Sequence, residues 1–249
     1  DTMNYQSYMK CRNYSFIVQL LGHQAFTPIY KLTQKLGISW YDFSKKFTST
    51  IQDKKFQGKF KNIYNRFCKE SHDELFDSIE EVKTYYSKSE NYKALLAGDI
   101  GENLLSRYTA KCLLIYEDIL TIIFYVLRNK FKNNYNNELN SVFSSSEKWL
   151  KNLYVLDSIF EKEDNRKNYK HELEIDFDFP EWLTKSDLPF DQFKKKSTYK
   201  LDYDITKVDH IRNELINVIA KDKQRSFARF IQLWTQSFNF FEKKFEKLN

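Results

Sequence analysis

The chain has 249 residues, 41% of them hydrophobic and 17% aromatic, enough to bury one large core or two small ones. Its five glycines and three prolines are about a quarter of the average share, which favours long helices and disfavours glycine-rich phosphate loops, dinucleotide-binding folds and many-stranded β proteins. Forty Lys and Arg against 34 Asp and Glu leave +6, spread along the chain with one short run at Lys194, Lys195 and Lys196, so nucleic acid is not the expected partner.

Helical patterns dominate the first 160 residues. Tyr5, Tyr8, Met9, Phe16, Ile17, Leu20 and Leu21 predict a first helix that a left-handed Gly22 would end. Thr27 and Pro28 predict an N-cap and first helical position, with Gly37 as terminator. Ser39 precedes Trp40, Phe43, Phe47 and Ile51 at helical spacing, and Phe60, Ile63, Tyr64 and Phe67 repeat the stripe after Gly58. Ser71 and Glu74 have capping-box spacing ahead of Leu75, Phe76, Ile79 and Val82. A long central helix is expected to start at an Asp99 cap and run towards Asn129, burying Leu104, Leu105, Ile115, Ile119, Ile122 and Val126. Ser144 and Glu147 predict another capped helix through Trp149, Leu153, Leu156 and Phe160.

The charged stretch 161–170 reads as a solvated linker between a helical bundle, 1–160, and a second unit, 171–249. There Leu173, Ile175, Phe177 and Phe179 alternate with Glu174, Asp176 and Asp178 up to Pro180, and Tyr199, Leu201, Tyr203 and Ile205 alternate likewise. The two segments are expected to pair as a small antiparallel ribbon, followed by closing helices through Val208 to Ile219 and Phe227 to Phe245. The fold class is therefore mainly α, a multi-helix bundle with a small two-stranded β element in the C-terminal part.

Few residues suggest chemistry. Cys11, Cys68 and Cys112 are odd in number and far apart, which fits neither a disulfide framework nor a zinc knuckle and favours a reducing cytoplasm. The apolar stretch from Cys112 to Leu127 carries Glu117 and Asp118 and is too short for a membrane span. His72 and Asp73, with His23 and Asp118, are the residue types of a metal-dependent helical phosphohydrolase, but an exposed first helical turn accounts for the dyad more simply. His210 and Glu214 lie one turn apart without a third ligand. Glu174, Asp176 and Asp178 could hold a divalent cation, although the wet face of a strand looks the same. The best polar stripe is Asp99, Asn103 and Arg107, spaced by four on one helix face. It is the candidate contact to a substrate or a neighbouring domain, with Arg107 offering its planar fork to a carboxylate or other anion. Catalytic and metal residues are not expected.

Three stretches carry a resemblance. Thr2-Met3 through Arg12 with Leu36-Gly37-Ile38-Ser39-Trp40-Tyr41-Asp42-Phe43, then Phe177-Asp178-Phe179-Pro180-Glu181-Trp182-Leu183, then Tyr203 to Trp234, together resemble the region that follows the catalytic barrel in cobalamin (B12)-binding radical S-adenosylmethionine (SAM) enzymes. The three cysteines cannot form that family's CxxxCxxC cluster motif, and His23 in Leu21-Gly22-His23-Gln24 lacks the Asp of a cobalamin-binding DxHxxG. The resemblance thus implies a non-catalytic helical accessory domain whose partners are upstream catalytic domains of the same polypeptide. Iron-sulfur cluster, SAM and cobalamin would belong to the parent protein, and no cofactor to this segment. The initial Asp1, in place of Met, fits an excised segment. The alternative from a different class is a free-standing helical interaction or nucleic-acid-binding module, which requires its lysines, Lys54, Lys55, Lys59 and Lys61 with Lys194 to Lys196, to gather on one face.

Overall fold

The computed structural model describes residues 3–96, 100, 103–131, 139–156, 170–204 and 241–249, with 206, 207, 209, 210, 213 and 239. Ten α-helices and a three-stranded antiparallel sheet stand among them. The helices are α1 (Tyr5–Leu21), α2 (Thr27–Lys35), α3 (Trp40–Gln52), α4 (Lys59–Asp73), α5 (Ile79–Ser87), α6 (Ser89–Leu96), α7 (Leu104–Leu113), α8 (Tyr116–Lys130), α9 (Asn140–Leu153) and α10 (Phe179–Thr184). The strands are β1 (His171–Ile175), β2 (Ser197–Asp202) and β3 (Lys244–Lys247), in spatial order β1-β2-β3.

Start and stop chemistry explains most boundaries. Asn4 and Ser39 cap α1 and α3 by accepting from the backbone N–H of Ser7 and Asp42. Gly37 has φ +66, the left-handed geometry that lets the chain leave α2 without a Cβ penalty. Gly22 does not: its φ of −77 is right-handed, and the turn is instead continued by a 3-10 turn at Gln24–Phe26 that the His23 side chain caps. Thr27 is consequently inside α2 rather than its cap.

Both expected capping boxes at Ser71 and Ser144 are displaced. Ser71 is fully buried in the last turn of α4, and Glu74 is the residue that ends that helix. A related cap stands seven residues later, where Ser78 accepts from the Glu81 N–H and Glu81 reaches back to the N–H of Asp77, one residue before the cap. Ser144 lies within α9, which begins at Asn140. The long central helix is also two. Asn103 caps α7 by accepting from the Ser106 N–H, and Leu114 and Ile115 break the run before α8 begins at Tyr116. The expected cap Asp99 lies outside the described residues. The apolar face itself is as read: Leu104, Ile119, Ile122 and Val126 are buried, and Leu105 and Ile115 pack half-buried against the core.

The bundle core is built from stacked rings. Phe16, Phe67 and Tyr108 bring α1, α4 and α7 together, with Phe16 and Phe67 centroids 4.3 Å apart. Buried residues form one continuous cluster from Phe16 to Phe241, and α9 packs on β1, so apolar contact runs across the two sides of the expected linker, whose residues 161–169 lie outside the described set.

The ribbon is present, with Leu173 opposite Tyr199 and His171 opposite Leu201, but it has a third strand. Phe245 belongs to β3 rather than a closing helix, because its ring packs edge-on against Trp149 and Tyr199. The strand also stops at Ile175, before Pro180. Phe177 and Phe179 keep the alternation yet leave the sheet for an aromatic cluster with Trp182, Phe190 and Phe193, and Pro180 sits in the first turn of α10. The expected closing helices, Val208 to Ile219 and Phe227 to Phe238, lie outside the described residues except at isolated positions.

Candidate functional site

One helical turn beyond the Phe16, Phe67 and Tyr108 ring layer, the interface of α1, α4 and α7 turns polar. Arg12 on α1 donates to Glu74 at 2.7 Å, while Arg107 on α7 donates to Glu70 on α4, whose other oxygen accepts from the Tyr108 hydroxyl at 2.6 Å. The guanidinium groups sit behind the carboxylates: the Arg107 side chain is 17% exposed and that of Glu70 38%. Burial raises the Glu74 carboxyl above its ordinary pKa, opposed by Arg12 and Arg107 and reinforced by the like charge of Glu70. Burial, then the bond to Glu70, raises the Tyr108 phenol. The Nε atoms of Arg12 and Arg107, the Asn13 carbonyl oxygen and the Ser71 hydroxyl are buried here without a partner among the described residues.

The expected stripe is therefore taken apart. Asn103 spends its side chain on the α7 cap, and Arg107 points between helices to Glu70 rather than along an open helix face. What this layer does chemically is hold the C-terminal end of α4 against α1 and α7. Glu70 and Glu74, one helical turn apart on α4, could have been read as a facing pair, but their arginines are 37 and 62 residues away and nothing local announces them.

In front of that end lies an apolar face. Tyr5 on α1 meets the His72 ring edge-on, and after α4 the Phe76 ring contacts Tyr85 and Tyr86 of α5. α5 and α6 pack on each other as a short hairpin in which no residue is buried. Ile79 is 69% and Leu96 71% exposed, and Leu75, Tyr85, Tyr92 and Leu95 are exposed with them, as are Met3, Tyr5 and Tyr8. Exposed apolar side chains are thus concentrated on the hairpin and on the first turns of α1.

The other sequence candidates are committed elsewhere. His72 and Asp73 pair at 3.5 Å on the surface at the end of α4, Asp118 is bridged to Lys59 at 3.1 Å, and His23 lines a separate recess. Among the described residues no group of three or more His, Cys, Asp or Glu is placed to hold a metal. His210 is exposed, and Glu214 lies outside the described residues. Of the expected carboxylate row, Glu174 and Asp176 are exposed but Asp178 is fully buried. Asp178 caps α10 and accepts from the Ser197 and Tyr199 hydroxyls at 2.9 and 2.6 Å and from Lys247, binding α10, β2 and β3 together. Glu181 shares Lys247 and Lys195, whose bonds hold its carboxyl well below the ordinary range.

Lys194, Lys195 and Lys196 bridge to Asp191, Glu181 and Glu174, Lys59 bridges to Asp118, and Lys61 donates to backbone carbonyls. Among the described residues no helix is long and apolar enough to cross a membrane. In comparisons with known proteins the chain matches no family model, no curated protein and no solved structure.

Proposed function

We propose that this chain is a non-catalytic helical accessory domain of a B12-binding radical SAM protein, packing on the catalytic barrel through the face made by α5, α6 and the first turns of α1. The observation that carries the docking role is the hairpin that buries nothing of its own. Helices of nine and eight residues are marginal alone in water, and a pair that presents Ile79, Tyr92 and Leu96 outward gains its stability from a surface that covers it. The choice of the barrel as that surface rests on the resemblance: the stretch Thr2 to Arg12, whose residues from Tyr5 onward open α1, is similar to the segment that follows the barrel in that family. On this reading the iron-sulfur cluster, SAM and cobalamin are held by the upstream domains in the cytoplasm. Arg107 and Arg12 act at one remove, positioning the end of α4 from which the hairpin projects.

The coding sequence upstream of Asp1 and an association assay test this. A barrel with CxxxCxxC is expected there, and expressed separately it should co-elute with this chain. Ile79→Ser with Leu96→Ser should abolish co-elution while the chain stays folded. An upstream stop codon, or co-elution indifferent to the double substitution, overturns the reading.

A further inference from the structure

We draw no further inference here: the strongest candidate, the polar recess at the break between α7 and α8 lined by Lys59, Glu117, Asp118, Lys151 and Tyr154, carries nothing because Lys59 is already paired with Asp118 and Lys151 with Glu147, and the uncapped start of α8 that remains is not by itself a ligand site.

Discussion

Helix α8 and the α5–α6 hairpin, separated in sequence by α7, are opposites in burial. α8 buries eight of its fifteen residues, with Ile119, Leu120, Ile123 and Phe124 wholly inaccessible, whereas the two helices of the hairpin bury none of theirs. Both carry amphipathic patterns, so pattern alone does not say where a helix's apolar side goes. α8 packs closely on α3 and α9, while α5 and α6 pack mainly on each other and on Phe76, so the one helix stabilises the fold and the other two leave their apolar side chains in solvent.

Substitutions on the buried side should give the largest losses. Asp178→Ala strands the Ser197 and Tyr199 hydroxyls and Lys247 together and should cost about 3 to 5 kcal/mol in urea unfolding, the scale for breaking a buried, hydrogen-bonded charge. Ile119→Ala opens a cavity in α8 at about 2 to 5 kcal/mol, and a loss below about 1 kcal/mol would place that helix outside the core. Arg107→Ala should cost about 1 to 3 kcal/mol through Glu70, which loses its charged donor, and an unchanged melting temperature would return Arg107 to the role of a surface contact. At the other extreme, Ile79→Ser with Leu96→Ser should stay within about 0.5 kcal/mol per site, because both side chains are largely exposed.

His23 adds a pH term to the buried side. Its folded pKa of about 4 is below the unfolded value of 6.5, so the unfolded chain binds the proton first on acidification. Its contribution is complete above about pH 6.5 and is lost as pH falls towards 4, and His23→Gln should flatten the stability profile across that window.

The core stripes were legible because they are local: Phe43, Phe47 and Ile51, or Ile119, Ile122 and Val126, declare a helix face by spacing alone. Capping motifs were less so, since Ser71 to Glu74 and Ser78 to Glu81 have the same spacing and only burial of Ser71 against the bundle decides between them. The alternation from Leu173 to Phe179 could not reveal that the strand ends at Ile175, because an aromatic cluster buries Phe177 and Phe179 as a sheet would. The Arg12–Glu74 and Arg107–Glu70 pairs were invisible for the opposite reason, joining helices far apart along the chain. The exposed side of the hairpin left a weaker trace: Ile79 and Leu96 look like core positions in the sequence, yet are largely exposed in the fold.

The order in which the chain can fold follows from β3. Lys244–Lys247 completes the sheet on β2, and the same segment reaches back to α9, where the Lys243 N–H donates to the Leu153 carbonyl and the Val155 N–H to the Phe241 carbonyl. These contacts span roughly 45 to 90 residues, so their loop-closure entropy is met late, after local helix contacts have formed. During synthesis β2 stays an open edge, with Tyr199 and Trp149 lacking the Phe245 ring that covers them, until Lys247 has left the ribosome. A chain stalled before that point pairs β2 with β1 alone and leaves the other edge of β2 without its hydrogen-bonding partner.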